Sequence, residues 1–428
     1  IMLDLNFIRE HSDIVKEACD KKQVKIDVDE ILELDKKKRE LMTNSESLKA
    51  EQNKISRLAR SGFATGDAGG AGHDATVIQK AKELKEKFKN LEPELKKIEE
   101  ELNSLLILLP NIPFDDVPVG KDDSQNVVLR KVGKLPKFNF ETKDYMELGK
   151  SLDLIDTERA GKVAGSRFGY LKRELPLLEF AIINLVMDTV RKEGFIPVLP
   201  PVFLKEKMAR GTGYFEAIDA KEAYYFPEDK LYLAGTSEQS LVAMHTDEIL
   251  NEKDLPLRYV GFSTCFRREA GSYGEDTKGI LRVHQFDKLE MVIFSNPEDS
   301  KGEHKLLLAI EEKLMKALGL PYQVINICTG DLGRPAASKY DIETWLPSEN
   351  KYRETHSTSN CTDFQARRLN IRYRDKSGKI HFAHTLNGTA FAIGRILIML
   401  MENYQQKDGS IKVPKALEKY LAFKTIKG

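Results

Sequence analysis

Two extended segments around a polar loop decide the fold of the larger part of this chain: YVGFSTCFRRE (Tyr259–Glu269) and VHQFDKLEMVIF (Val283–Phe294). Both are rich in β-branched and aromatic residues, which is typical of β-strands. The segment between them, residues 270–282, is polar and contains glycine. The three pieces predict an antiparallel hairpin, in which successive side chains alternate between the two faces.

This alternation indicates a binding surface on the hairpin. Arg267 and Glu269 fall on one face of the first predicted strand, and Phe286 and Glu290 fall on one face of the second. If these faces meet, one surface offers a guanidinium for a phosphate, a ring for a flat base and carboxylates for an ammonium or hydroxyl. The alternative is an ion-pair network on the surface of an edge hairpin.

A second apolar segment lies near the end of the chain. Residues 387–395 run directly into the apolar residues 396–401, and we predict one buried helix over the whole stretch. Arg395 inside it requires an anion, which is either a structural carboxylate or a phosphate at a glycine-containing helix start. Two polar segments, Gly235–Glu238 and Tyr352–Asn360, each look more like a loop than a site when taken alone.

The first quarter of the chain has the spacing of a coiled coil. Apolar residues alternate at intervals of four and three, at Val77, Ala81, Leu84, Phe88, Leu91, Leu95, Ile98, Leu102, Leu105 and Leu109. In the preceding segment they repeat every seven residues, at Leu34, Leu41, Leu48 and Ile55. The stretch Ser61–Asp74 is rich in glycine and alanine and predicts a flexible turn, so the two helices form an antiparallel hairpin. Pro93 lies on the outer face, where we expect a kink and not a break.

The charge along this predicted hairpin is uneven. Basic residues lie near the turn, whereas Glu92, Glu94 and Glu99–Glu101 lie at the far end. A rod with a basic tip suits a polyanion bound near the tip. A dimerisation hairpin with ordinary solvated charges explains the same pattern, and the charges alone favour it slightly.

Composition restricts the other possibilities. The chain has 428 residues, with 67 basic and 67 acidic side chains, so a global basic excess gives no indication of nucleic-acid binding. Its four cysteines are far apart and form no C-x-x-C pair, which argues against a disulfide framework or a thiolate zinc site and suits a reducing cytosol. No apolar run approaches the length of a membrane span. The sequence also lacks a P-loop and a G-x-G-x-x-G motif, so neither would hold a nucleotide.

Taken in order, these segments resemble the motifs of class II aminoacyl-tRNA synthetases, and specifically of bacterial-type seryl-tRNA synthetases. The matching segments are Gly194–Phe203 for the first motif, Phe266–Glu269 with its loop and returning strand for the second, and Gly388–Arg395 for the third. The seryl enzyme is indicated by Thr236–Glu238, the residues around Glu354, Asp363–Arg368 and His384–Thr389. The resemblance covers essentially the whole chain, and the order and spacing of the motifs make it specific.

The resemblance implies an α+β fold, with an N-terminal antiparallel coiled-coil hairpin followed by an antiparallel sheet flanked by helices. It implies a tRNA-binding domain at 1–110 (hairpin at about 28–109), a linker at 111–125 and a catalytic domain at 126–428. The implied activity is ATP-dependent attachment of L-serine to tRNA(Ser) through seryl-adenylate, and to tRNA(Sec) where that tRNA is present. A cytoplasmic homodimer, joined through the catalytic domains and without membrane contact, is also implied.

Residue roles follow from the matched motifs. Serine would be bound by Thr236, Ser237, Glu238, Arg267, Glu290 and Thr389. ATP would be bound by Arg267, Arg268, Glu269, Val283, Phe286, Glu354, Thr355, His356, Ser357 and Arg395. Glu354 and Ser357 would ligate Mg²⁺ on the ATP phosphates, with no zinc. The hairpin would contact tRNA through Lys54, Arg57, Arg60, Lys80, Lys82 and Lys85.

Two residues depart from the family pattern, and three alternatives compete with it. His356 stands where the family more often has serine, and Ala390 replaces a frequent glycine. A threonyl-type synthetase would be expected to show a zinc site and an editing domain, and neither is visible in the sequence. An amino acid:carrier-protein ligase would lack the hairpin. A coiled-coil adaptor would lack ATP chemistry altogether.

Overall fold

Heptad spacing produces two long helices in the first unit of the chain. The computed structural model describes residues 3–64, 71–213, 223–270 and 279–428, without the side chains of residues 56–64 and 71–78. Residues 1–20 and 24–109 form one compact unit, and residues 21–23 and 110–428 form a second. The helices of the first unit are α1 (Leu5–Glu10), α2 (Ser12–Lys21), α3 (Val28–Ala64) and α4 (Ala71–Leu106).

The pairing of α3 with α4 is antiparallel, as the sequence predicts. Lys38, early in α3, lies 3.0 Å from Glu99, late in α4, whereas Glu51 lies 3.5 Å from Lys80, nearer the start of α4. The seam residues of α4 from Ala81 to Leu105, and Leu109 just beyond its end, are buried or half-buried, and most residues between them are exposed. The same holds for the α3 seam, including its polar positions Lys38, Ser45 and Gln52.

Both helices of the hairpin extend into the predicted turn, since residues 61–64 and 71–74 are helical; the intervening residues 65–70 lie outside the described part of the chain. Pro93 lies inside a continuous α4, so the expected absence of a break is confirmed. None of the helices described is both long and apolar enough to cross a membrane.

The second unit is built on one large sheet. Its helices are α5 (Tyr145–Ser151), α6 (Thr157–Ala164), α7 (Glu174–Val190), α8 (Glu206–Gly211), α9 (Ser237–Ala243), α10 (Ser300–Leu318), α11 (Phe364–Leu369) and α12 (Ile393–Asn403). Its strands are β1 (Val127–Val132), β2 (Ile155–Asp156), β3 (Tyr170–Leu171), β4 (Ile196–Val198), β5 (Phe203–Lys205), β6 (Tyr225–Phe226), β7 (Leu231–Leu233), β8 (Ile249–Asn251), β9 (Leu257–Phe266), β10 (Gln285–Ser295), β11 (Tyr322–Asn326), β12 (Ser338–Leu346), β13 (Lys351–Asn360), β14 (Arg372–Arg374), β15 (Ile380–Phe382), β16 (His384–Ala392), β17 (Ile411–Lys412) and β18 (Thr425–Ile426).

Eight of these strands form the large sheet in the order β1-β11-β12-β13-β16-β10-β9-β4. Every neighbouring pair is antiparallel except β4 and β9, which are parallel. One face packs on α7, α10 and α12 in the main hydrophobic core, where Leu289, Met291 and Ile293 of β10 are fully buried. Because side chains alternate along β10, Phe286, Lys288 and Glu290 point to the opposite face, where the cleft lies.

Three local predictions are corrected. The first strand of the predicted hairpin ends at Phe266, so Arg267 and Glu269 lie beyond it, and Glu269 has a left-handed φ of 51° that ends the extended run. Residues 384–392, predicted in part as helix, form the central strand β16, and the helix begins only at Ile393. The segment 351–360, which looked more like a loop, is strand β13.

Candidate active site

Two adjoining cavities occupy the open face of the sheet. The first is about 320 Å³ and is lined by Arg267, Glu269, Ile280, Leu281, Arg282, Val283, Phe286, Lys288, Glu354, Thr355, Thr389, Ala392, Gly394 and Arg395. The second is about 490 Å³, and its lining includes Thr236, Glu238, Gln239, Glu290, Asp331, Lys339, Ser357, Cys361 and Asn387. Arg267 and Lys288 line both cavities, so the two spaces share one boundary.

The first cavity combines a ring with the guanidinium groups of three arginines, Arg267, Arg282 and Arg395. Arg267 lies with its guanidinium carbon 5.4 Å from the centre of the Phe286 ring, and its Nε donates to Gly235 O at 3.1 Å. Arg395, the third residue of α12, donates to Glu354 O at 2.9 Å and lies 3.2 Å from Glu354 Oε1. Arg395 thus has the carboxylate partner that its position requires, and one third of its side chain stays exposed to the cavity.

An irregularity in β13 brings Glu354 and Ser357 to the same face. Residues three apart in a regular strand point to opposite faces. The register of β12 with β13 shifts by one residue here, so that Ile342 pairs with His356 while Glu343 pairs with Glu354, and Thr355 is the extra residue. A bulge of this kind re-aims the side chains that follow it, and both Glu354 and Ser357 line the cavities as a result.

The second cavity is built around two buried carboxylates. Glu238, in the first turn of α9, accepts hydrogen bonds at Oε1 from Gln365 Nε2 at 2.7 Å and from Asn387 Nδ2 at 3.0 Å. Glu290, in the centre of β10, lies opposite Thr389 of β16, whose hydroxyl donates to Glu290 Oε2 at 3.3 Å. Both glutamates are almost fully buried, which suits them to an ammonium or a hydroxyl that arrives without its water.

Burial and neighbouring positive charges act in opposite directions on Glu354, which lines both cavities, and on Asp341, which pairs with the cavity-lining Lys339. Burial tends to raise the pKa of Glu354, but the charges of Arg395, Lys339 and Arg267 outweigh it and lower the pKa. Half of the Glu354 side chain faces the open cavity, so it is an available anionic ligand. Burial raises the pKa of Asp341 to about 6, against the opposing charge of Lys339 3.3 Å away.

Comparison with known proteins identifies the family. Residues 224–404 match the family model of the tRNA synthetase class II core domain (G, H, P, S and T), and residues 2–113 match that of the seryl-tRNA synthetase N-terminal domain. The serine–tRNA ligase of Dictyoglomus turgidum is 45% identical over 100% of this chain and 99% of its own length. The chain belongs to the seryl-tRNA synthetase family.

Two solved seryl-tRNA synthetases have similar structures. The crystal structure from Pyrococcus horikoshii, complexed with ATP, superposes with a TM-score of 0.90 at 40% identity and covers 99% of both chains. The cytoplasmic serine–tRNA ligase of Naegleria fowleri, in complex with AMP, superposes with a TM-score of 0.86 at 30% identity, over 100% of this chain and 99% of that one. These matches bear out the predicted family and the predicted α+β fold.

Most of the site residues that the sequence suggests come together in the cleft of this synthetase. The predicted residues that line the two cavities are Thr236, Glu238, Arg267, Glu269, Val283, Phe286, Glu290, Glu354, Thr355, Ser357, Thr389 and Arg395.

Three predicted site residues line neither cavity. Ser237 is buried and its hydroxyl lies 2.7 Å from that of Ser263. The guanidinium of Arg268 lies over the ring of Tyr224 instead. His356 is fully buried on the core side of β13, with its ring 5.1 Å from that of Phe391, and burial lowers its pKa to about 3.

The predicted tRNA contacts of the helical hairpin are only partly described. Lys54, Lys80, Lys82 and Lys85 have exposed side chains. The side chains of Arg57 and Arg60 lie outside the described residues.

Sequence reasoning missed three cations of the cleft: Arg282, Lys288 and Lys339. Lys288 could have been found, because it lies between Phe286 and Glu290 on the same face of a strand that was correctly predicted. Arg282 pairs with Glu269 across the loop that joins the two hairpin strands, and no periodic signal marks it. Lys339 lies in the cleft because of the way β12 pairs with β13. This register depends on residues far apart in the sequence.

Proposed function

We propose that the chain attaches L-serine to tRNA(Ser) in two steps, with ATP and through seryl-adenylate, and that it also serylates tRNA(Sec) where that tRNA is present. The observation that carries the proposal is the shared boundary at Arg267. On one side of it a ring and a guanidinium can hold a flat base; on the other, two buried carboxylates can hold an amino acid. A cytoplasmic location, where tRNA is charged for translation, is part of this proposal.

The first cavity would hold ATP. The adenine would lie between Phe286 and Arg395, with Glu269 and the main chain of Val283 at its edge, because stacking on a ring and under a guanidinium suits any flat base. Arg267 would contact the α-phosphate and the serine carboxylate together. We assign no ATP contact to the side chains of Arg268 and His356, since neither lines the cavity.

Both steps are displacement reactions, and the role of the cleft is to hold the attacking and leaving groups in place. In the first, a carboxylate oxygen of serine attacks the α-phosphorus, and the bond from this phosphorus to pyrophosphate breaks. In the second, the 3′-hydroxyl of the terminal adenosine of tRNA attacks the seryl carbonyl, and AMP leaves. Neither step requires a covalent bond to the protein, so orientation and neutralisation of negative charge supply the catalysis.

Magnesium is a proposed cofactor of the first step. Glu354 and Ser357 place a carboxylate and a hydroxyl on one face of β13, and Mg²⁺ typically takes one or two protein oxygens together with phosphate oxygens. This donor set fits the ion, which would neutralise phosphate charge when bound. Within the described ranges, no group of three or more His, Cys, Asp or Glu side chains is arranged to hold a metal without ATP.

The second cavity would select serine by its hydroxyl and ammonium. Glu238 and Thr236 would hold the ammonium, and Glu290 with Thr389 would meet the hydroxyl. An alanine in this site would leave the buried Glu290 without its partner, which penalises alanine strongly. Threonine differs by one methyl group, and steric exclusion of that group supplies only about 1–3 kcal/mol.

The helical hairpin would bind tRNA, and the catalytic unit would form the dimer. The exposed lysines near the hairpin tip, Lys54, Lys80, Lys82 and Lys85, suit a phosphate backbone. In the second unit, Leu177, Phe180, Ile196 and Leu199 are large apolar residues with at least half of their surface exposed, on α7 and around β4. Large exposed apolar side chains are typical of subunit interfaces, and two of these, Ile196 and Leu199, lie in the segment that resembles the first class II motif.

An ATP–pyrophosphate exchange panel tests this function directly. The protein is mixed with ATP, Mg²⁺, labelled pyrophosphate and one amino acid at a time. We expect exchange with serine and little with alanine, glycine or threonine. Exchange that requires threonine or glycine and ignores serine would contradict the proposal.

A further inference from the structure

Lys288 lies at the boundary between the two cavities, and the family resemblance assigned it no role. It is the residue of β10 midway between Phe286, in the first cavity, and Glu290, in the second. Only 11% of its side chain is exposed. A lysine buried to this extent requires partners that offset the loss of its hydration.

Those partners belong to the proposed serine site. Lys288 Nζ lies 2.5 Å from Glu290 Oε2 and 3.3 Å from Thr236 Oγ1. The hydroxyl of Thr389 approaches the same Oε2 at 3.3 Å. The closest contacts of Lys288 and Thr389 with the Glu290 carboxylate therefore fall on the same oxygen, Oε2.

The surroundings of Glu290 make this cation necessary. Glu290 is 1% exposed, and the fully buried Glu311 of α10 lies behind the sheet. Burial, and then the charge of Glu290, raise the pKa of Glu311 well above its usual range. Without an opposite charge beside it, a carboxylate as buried as Glu290 would have nothing to offset the loss of its hydration.

We propose that Lys288 is a positioning residue for serine recognition: it fixes Glu290 through Oε2 so that Oε1 meets the hydroxyl of the amino acid. This inference deepens the proposed function and rests on it. Its consequence is that Lys288 should act on the affinity for serine and on the rejection of alanine. It should act much less on the affinity for ATP, although it also lines the ATP cavity.

The test compares Lys288→Met with Lys288→Arg and the unchanged protein in pyrophosphate exchange. We expect Lys288→Met to raise the KM for serine about 100-fold and to reduce the preference for serine over alanine, because the hydroxyl loses a correctly placed acceptor. The KM for ATP should change less than about 3-fold, because the substitution removes an interaction that affects the binding of serine and not that of ATP. Lys288→Arg, which keeps the charge, should recover about 10-fold of the lost serine affinity.

A double substitution keeps the test informative if Lys288→Met does not fold. Adding Glu290→Gln to Lys288→Met removes the uncompensated charge, and the double variant should be no worse for serine than Glu290→Gln alone. Independent, additive losses would contradict the inference. So would an unchanged serine KM in Lys288→Met, or equal increases in KM for serine and ATP, which would make Lys288 a phosphate contact.

Lys207→Met is the matched control, because Lys207 also pairs with a carboxylate, that of Asp247 at 2.9 Å. This pair lies on the surface and is far less buried than the pair of Lys288 and Glu290. It should behave like the unchanged protein. Failure of the proposed function would appear differently, as an absence of serine-dependent exchange in the unchanged protein itself.

Discussion

The helical hairpin and the cleft of the sheet each contain a lysine paired with a glutamate. In the hairpin, Lys38 occupies a seam position and lies 3.0 Å from Glu99, with 23% and 42% of the two side chains exposed. In the cleft, Lys288 and Glu290 lie 2.5 Å apart with 11% and 2% exposed. Both pairs are in close contact, but water screens the first pair and is nearly excluded from the second.

This difference in exposure separates ion pairs that contribute little from buried charged residues whose presence indicates a functional role. An exposed pair is worth about 0–1 kcal/mol, and its loss is easily tolerated. A buried pair is often no more stabilising than apolar residues of the same volume, so its presence calls for another reason. Charges of the hairpin should therefore matter through tRNA and salt, whereas charges of the cleft should matter through chemistry and pH.

The largest effect is expected at Arg267, which lines both cavities. Arg267→Ala should lower serine-dependent pyrophosphate exchange about 1,000-fold, since one well-placed donor to a developing charge is worth roughly 10²–10³ in rate. The measurement is the exchange rate at saturating serine and ATP. Arg159→Ala removes an arginine that is mostly exposed and should leave the rate unchanged. If Arg267→Ala lowered the exchange rate by less than about 10-fold, Arg267 would not be a contact of the reacting groups.

A smaller effect is expected at the hairpin tip. Changing Lys54, Lys80, Lys82 and Lys85 together to glutamine should raise the KM for tRNA about 30-fold near 0.1 M salt and flatten its salt dependence, because fewer counterions are released. Exchange without tRNA should not change. Four exposed lysines at the base of the hairpin, Lys36, Lys37, Lys96 and Lys97, give the matched control. Equal losses from both sets would mean that the hairpin does not bind tRNA at its tip.

The next prediction concerns the pH dependence of stability in the second, catalytic unit. Burial, and then the nearby Asp287, raise the pKa of Glu179 on α7 to about 8. The folded protein therefore keeps a proton that the unfolded chain has released, and its stability falls as pH rises towards 8. Between pH 6 and pH 7.5 the loss should be about 2 kcal/mol at most. Glu179→Gln should remove it.

Trp345, the only tryptophan, lies in β12 and reports unfolding of this unit through its fluorescence. Melting temperatures of the unchanged protein and of Glu179→Gln should converge at low pH and separate as pH rises. Glu158→Gln, at a residue that is 86% exposed, is the control and should follow the unchanged protein. Parallel curves for Glu179→Gln and the unchanged protein would refute the role of Glu179.

The hairpin and the sheet also differ in how much of their structure could be predicted from the sequence. The hairpin was predictable because its seam is a local repeat, and even the polar residues Ser45 and Gln52 lie where the repeat places them. Residues 387–392 were predicted as helix because a strand buried on both faces has no alternating pattern to distinguish it. The extra residue at Thr355, which aligns Glu354 with Ser357, depends on pairing with β12 and leaves no local signal.

The smallest expected effect returns to Lys38. Lys38→Leu exchanges a weak, screened ion pair for an apolar seam residue between Leu34 and Leu41, and should stabilise the hairpin by about 0.5–1.5 kcal/mol. Hydrogen exchange of the amides of residues 31–48 measures this locally, and their protection should increase. Lys37→Leu, one position away on the exposed face, should bring no gain. If Lys38→Leu instead reduced protection, the Lys38–Glu99 pair would have to be stabilising well beyond a surface pair, and the contrast between hairpin and cleft would fail.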